Sequence, residues 1–161
     1  LEYDEKIKNA ADKIKDSESM FYLGRGLDYV IAVEGALKSK EISYIHSEAF
    51  ASGELKHGTI ALITDGVPVV VNVTQSGLFE KSVSNIKEVT SRGAYVIAIA
   101  KEGNTVVEEV ADEVFYIPDV EDDYAGFPTI IIHQLLAYYL SKLKGNDVDK
   151  PRNLAKSVTV E

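Results

Sequence analysis

The chain of 161 residues contains no cysteine. That excludes disulfides, thiolate metal sites and cysteine nucleophiles, and it leaves the redox compartment open. The three histidines, His46, His57 and His133, are too scattered for a zinc pattern. No metal and no cofactor are expected. No long basic block occurs and the formal net charge is −9. Such a domain repels a phosphate backbone, so nucleic acid is not expected as a partner. No apolar run approaches the ~18 residues of a membrane span. The most apolar stretch, Thr129 to Leu140, is interrupted by His133 and Gln134, and no membrane partner is expected. No signal-peptide pattern precedes the first helix. No internal repeat and no second domain boundary are visible. The first residue is Leu1 rather than methionine, so the expectation is a piece of a longer protein.

What is present has globular proportions, with 45% hydrophobic and 27% charged residues, enough for one domain with a full core. Glu2 to Ser17 reads as an amphipathic helix with Ile7, Ala10, Ala11 and Ile14 on one face. A short strand, Met20 to Leu23, runs into Gly24-Arg25-Gly26. Asp28 to about Ala49 reads as one long helix, followed by a loop through Ser52-Gly53 and His57-Gly58. Strands are expected at Ile60 to Ile63 and Pro68 to Val73. A helix from Leu78 to about Ser91 is closed by Gly93. Ala94 to Ala100 is another apolar strand, Val106 to Val110 a short helical piece, and Val114 to Ile117 a last strand. A helix from Phe127 to Lys144 stops at Gly145. Residues 146–161 show no periodicity. Strands that are continuous apolar runs, alternating with helices, predict an α/β fold: three αβα layers around a parallel sheet of about five strands.

Two helices break the usual pattern. At about 100° per residue, Val30, Val33, Leu37, Tyr44 and Ile45 share an arc with Glu34, Lys38, Glu41 and Glu48. The opposite side holds the small or mildly polar Ala32, Ser39, Ser43 and His46. Charges are therefore expected to point the same way as core residues. One reading is a set of ion pairs, Glu34–Lys38 at i,i+4 and Lys38–Glu41 at i,i+3. The other is a working site, with a carboxylate as general base and Lys38 as its electrostatic partner. The helix from Phe127 to Lys144 is apolar nearly all round, which implies burial on several sides and a partner lobe or subunit. His133 within it reads as a satisfied interior or interface histidine. Gly24-Arg25-Gly26 and Thr74-Gln75-Ser76-Gly77 both lie between a strand end and a helix start. Such positions suit phosphate, but equally they are ordinary turns of this fold class.

Three stretches carry a resemblance. The first is Leu23-Gly24-Arg25-Gly26 with Glu34-Gly35-Ala36-Leu37-Lys38. The second is Lys40-Glu41-Ile42-Ser43-Tyr44-Ile45-His46, Glu48-Ala49 and Gly53-Glu54-Leu55-Lys56-His57-Gly58. The third is Asp147-Val148-Asp149 with Pro151-Arg152-Asn153-Leu154-Ala155-Lys156-Ser157-Val158-Thr159-Val160-Glu161. Together they resemble the second sugar-isomerase (SIS) lobe and the C-terminal tail of the glutamine–fructose-6-phosphate aminotransferase family. The likeness runs from about Leu23 to Glu161 and is weak between Asp65 and Ile117. It implies residues 1–145 as the SIS lobe and residues 146–161 as a catalytic tail.

In that family a glutaminase domain releases ammonia, and two SIS lobes convert fructose 6-phosphate and ammonia into glucosamine 6-phosphate. The resemblance implies that Lys156 forms a Schiff base with the open-chain ketose and that Glu41 moves a proton between sugar C1 and C2. It makes Lys38 a lysine of the site and gives Ala155 a backbone contact to the sugar. His57 would open the sugar ring in the active site of the neighbouring subunit. The implied partners are fructose 6-phosphate and glucosamine 6-phosphate, the first SIS lobe, the glutaminase domain and a second copy in a cytoplasmic homodimer. The chain alone is then expected to be inactive. Thr74-Gln75-Ser76-Gly77 looks like a degenerate copy of the family's phosphate loop and is expected not to hold the substrate phosphate. The alternative is a sugar-phosphate-binding SIS module with a sensor or dimerisation role.

Overall fold

The apolar runs become strands of one sheet in the computed structural model, which describes residues 2–152. The strands are β1 (Ser19–Gly24), β2 (His46–Ala51), β3 (Pro68–Val73), β4 (Tyr95–Lys101) and β5 (Glu113–Ile117). All neighbours pair in parallel, in the order β2-β1-β3-β4-β5. Every residue of β3 is buried, as a strand covered on both faces requires. The four main helices are α1 (Glu2–Ile14), α2 (Leu27–Ser43), α3 (Phe79–Thr90) and α4 (Gly126–Leu143). Ile7 and Ile14 of α1, Ala32 and Ala36 of α2, and Leu136 and Leu140 of α4 pack on one face of the sheet, against Tyr22, Val70, Ile97 and Phe115. Val83, Ile86 and Val89 of α3 cover the other face with Leu55 and Val107. The αβα layering expected from the strand pattern is the observed one.

Two elements differ from expectation. The helix does not continue to Ala49: it ends at Ser43, Tyr44 turns left-handed at φ 62°, and the chain re-enters as the edge strand β2. Ser19↔His46 through Gly24↔Ala51 then pair in register. Being half-exposed at the edge, β2 lacks the apolar run that marks the inner strands. Ile60 to Ile63 is no strand either. Thr59–Leu62 forms a 3-10 turn with no fully buried residue, and the sheet edge next to β1 is already taken by β2.

The orientation of α2 is also a correction. Its buried face carries Asp28, Ala32, Gly35, Ala36, Ser39 and Ser43. Val30, Val33 and Leu37 face outward, Val30 being 60% exposed. The charges that share their arc therefore lie at the surface and not in the core. The reason is the space between α2, α4 and the sheet. A Cβ at Gly35 would lie 2.7 Å from the His133 ring of α4, so only glycine fits there. Small side chains let the helix axes approach, and the polar ones find partners: Ser39 bonds the Tyr22 hydroxyl of β1, and Ser43 Oγ donates to the Ser39 carbonyl at 2.7 Å.

His133 is completely buried in α4, an interior histidine, though only one of its ring nitrogens is satisfied. The Asn72 amide of β3 donates to the Asp28 carbonyl at 3.0 Å, which leaves Asn72 Oδ1 to accept from His133 Nε2–H at 2.9 Å. Nδ1 then carries the lone pair and has no partner among the described residues. Burial pushes the imidazole pKa down to about 3.

Gly35→Ala is expected to destabilise the fold by about 1–3 kcal/mol in urea unfolding, the range for overpacking a filled core. The ring also makes a pH prediction. A released His133 titrates near its ordinary ~6.5, whereas the folded ring stays neutral down to about pH 3. Unfolding therefore takes up a proton at His133 within that window, and this contribution to stability falls as pH falls through it. By NMR the His133 ring should keep its neutral Nε2–H signature from pH 7 to pH 5. A midpoint near 6.5 would contradict the buried, neutral ring.

Candidate functional site

A helix that follows a strand in a parallel sheet runs back across it, so its two ends lie at opposite edges. α2 leaves β1 at the carboxyl edge, where the Asp28 amide donates to the Arg25 carbonyl at 3.1 Å. It ends at the amino edge, where the His46 amide bonds the Glu18 carbonyl just before β1 begins. Glu41 is fourteen residues beyond Leu27, roughly 21 Å down the helix axis.

The amino edge holds the charged pair. Lys38 Nζ is 2.9 Å from Glu41 Oε2 and 3.5 Å from Glu34 Oε1, so both spacings in the sequence are realised as contacts. The side chains of Lys38 and Glu41 are each about one-third exposed, at 32% and 29%. The hydrogen bond to Glu41 is the main reason that the Lys38 pKa lies above its ordinary value. Lys38 is therefore a fixed cation beside a carboxylate that stays open to solvent. The same end of α2 receives the last turn of α4 and the chain that follows it: Ser141 Oγ of α4 and Asn146 Nδ2 beyond it both donate to the Ile42 carbonyl, at 2.9 and 3.1 Å. Ala155 and Lys156 lie outside the described residues.

His57 sits at the other edge. It ends the 3-10 turn Ser52–His57 that follows β2, is exposed, and its side chain makes no hydrogen bond among the described residues. Thus Lys38 and Glu41 come together, and His57 does not join them within this chain. Below the turn, Arg25 Nε donates to Asn85 Oδ1 at 2.9 Å, and Lys56 pairs with Glu88 at 2.8 Å.

The carboxyl edge also contains the place where the strand order reverses, between β1 and β3. Open α/β sheets normally bind ligands in that crevice. Here protein carboxylates fill it. Asp28 is buried and accepts from the Thr74 amide at 2.8 Å, from the Thr74 hydroxyl and from the Gln75 amide at 3.4 Å. Asp122 accepts from the Ser76 amide and hydroxyl, both at 2.8 Å, and from the buried Lys101 ammonium at 2.6 Å. Burial raises the Asp28 pKa, against the pull of its hydrogen bonds. The Lys101 contact comes first among the causes that hold Asp122 low. Glycine at 24 is required because a Cβ would overlap the Asp28 carbonyl. The donors of Thr74-Gln75-Ser76 that suit phosphate are already occupied. Asp28, Lys101 and Asp122 were not singled out from the sequence. Asp28 reads there as an ordinary helix start, and no local spacing links Asp122 to Ser76, 46 residues away.

The SIS domain family model matches residues 13–143. A glutamine–fructose-6-phosphate aminotransferase (isomerizing) of Clostridium acetobutylicum is 60% identical over 157 residues, 98% of this chain and 26% of that protein. The chain thus spans about a quarter of the length of such relatives. Among solved structures, the C-terminal domain of the glucosamine-fructose-6-phosphate aminotransferase of Francisella tularensis superposes with a TM-score of 0.85 at 41% identity, over 93% of this chain and 42% of that one. A glucosamine-6-phosphate deaminase of Thermotoga maritima follows at 0.74 and 27%, over 98% of this chain and 46% of that one.

Titrating inorganic phosphate should leave the Ser76 amide signal in place, since Asp122 holds it. A phosphate-dependent shift or exchange protection at Ser76 would show that the carboxylates are displaced.

Proposed function

Because the chain belongs to the SIS domain family, and because its high-identity relatives carry it as about a quarter of their length, we propose that it is the second sugar-isomerase lobe and C-terminal tail of a glutamine–fructose-6-phosphate aminotransferase. The whole protein then converts fructose 6-phosphate and glutamine-derived ammonia to glucosamine 6-phosphate. The observation that carries this reading is the Lys38–Glu41 pair on the outer face of α2, beside the root of the tail.

In this scheme Lys156 condenses with the C2 carbonyl of the open-chain ketose and releases water. Ammonia then displaces the Lys156 amine and leaves a free imine at C2. Glu41 takes a proton from C1 and returns it to C2, which gives the C1 aldehyde and the C2 amine of the product. An ordered cation 2.9 Å away keeps Glu41 in place for that transfer. Ala155 lines the sugar through its backbone. His57 opens the ring, and its place on the opposite edge from Glu41 supports action in a neighbouring subunit's site, hence a homodimer. Metal and cofactor play no part in the scheme.

The substrate phosphate is held by the first SIS lobe. Two observations support this division. Carboxylates occupy the phosphate-like turn of this lobe. The outer faces of α2 and α4 expose Val30, Val33, Phe127 and Ile131, with Phe127 71% exposed, an apolar surface suited to a partner lobe. The exposed Phe127 and Ile131 of α4 support a partner for that apolar helix. The glutaminase domain and a cytoplasmic setting belong to the same proposal. No helix among the described residues is long and apolar enough to cross a membrane.

The test uses the longer protein. Incubation with fructose 6-phosphate and borohydride, followed by peptide mass mapping, should place the adduct on Lys156; an adduct elsewhere, or none, removes the Schiff-base role. Glu41→Gln should still form that adduct while kcat falls about 10²–10⁴-fold, the usual scale for losing a general base.

A further inference from the structure

Among the described residues, Tyr44 is the one non-glycine residue with positive φ, at 62°. It is the C-cap of α2, three residues beyond Glu41. Glycine takes this left-handed cap without strain, and a bulky aromatic residue does not. A residue kept in an unfavourable conformation invites a search for what holds it there. The Arg152 amide donates to Tyr44 Oη at 2.8 Å. The Arg152 guanidinium lies over the same ring, 4.3 Å from its centroid. One side chain therefore grips both the backbone and the cation of a residue 108 positions away. Two residues earlier, the Ile42 carbonyl accepts from Ser141 at the end of α4 and from Asn146 beyond it. The C-terminal end of α2 thus holds the chain after α4 at two residues, Asn146 and Arg152.

We propose that Tyr44 is a positioning residue that fixes the root of the C-terminal tail to the helix end bearing Glu41. The inference rests on the Schiff-base reading above. Lys156 lies four residues past Arg152, so chain length keeps its Cα within about 14 Å of Arg152, and a fixed Arg152 ties that reach to the end of α2. The left-handed turn is what aims the ring: a helical Tyr44 would carry the chain onward along α2 in place of turning it into β2. The base and the amine are thereby referenced to one turn of helix, and a displaced root would misplace one against the other.

A residue that only terminates a helix makes the opposite prediction from one that positions the tail, because glycine terminates it at least as well. In the longer protein, Tyr44→Gly should keep the unfolding midpoint, while the rate of borohydride trapping at Lys156 with fructose 6-phosphate falls roughly ten- to hundred-fold, the scale of a small misplacement. Tyr44→Phe keeps the stack and should restore most of that rate. Tyr44→Asn, which also tolerates the left-handed turn, repeats the test should the glycine variant fail to fold. Trypsin cleavage after Arg152 gives a readout independent of chemistry, and it should quicken in Tyr44→Gly. Trapping and cleavage both at the unsubstituted rates would overturn the inference. No Lys156 adduct in the unsubstituted protein would instead overturn the Schiff-base reading, and the cleavage rate alone would then decide whether Tyr44 anchors the tail.

Discussion

The close approach of α2 to α4 and the sheet is the constraint on which the rest depends. It is set where Gly35 meets the His133 ring. Behind that contact a polar chain runs from His133 to Asn72, from Asn72 to the Asp28 carbonyl, and from the Asp28 carboxylate to Thr74. The chain joins α4, β3, the start of α2 and the turn after β3 with every link buried. Leaving one of those groups unpaired would cost more than the pair contributes, so the set acts as a unit. Once the small face of α2 is committed to this contact, the large apolar and charged residues must point outward.

Under the proposed function, that outward face lets one helix serve both packing and chemistry. A base on a typical core-facing stripe would be buried, and one on a fully polar face would be solvated. Here Glu41 shares its face with Val33 and Leu37, so a docking surface would exclude water from around it. The opposite end of α2 does different work. Its first turn holds Asp28 against the Thr74 and Gln75 amides, which closes the crevice that this strand order normally leaves open for a ligand.

Much of the fold was legible because the inner strands and α4 are nearly pure apolar runs, and because Gly93 and Gly145 mark helix ends in the expected places. The edge strand β2 was not, since half-exposed residues such as His46 and Glu48 continue the helical charge pattern without a break. Nor was the facing of α2, where apolar residues are on the outside and alanine, serine and glycine are on the inside. In the site, the Lys38–Glu41 contact followed from i,i+3 spacing alone. The carboxylates against Thr74 and Ser76 join residues 46 apart, and periodicity carries no information about such pairs. Lys156 has no local signal at all, and the role proposed for it rests on resemblance.

The separation of the two edges has a genetic consequence. Under the proposed function, Glu41 and Lys156 of one copy work with His57 of another. A dimer formed from one copy defective at His57 and one defective at Lys156 would have one site with every group present and one site with both missing. Two inactive alleles of this kind would therefore complement each other when expressed together, while two alleles both defective at Lys156 would not.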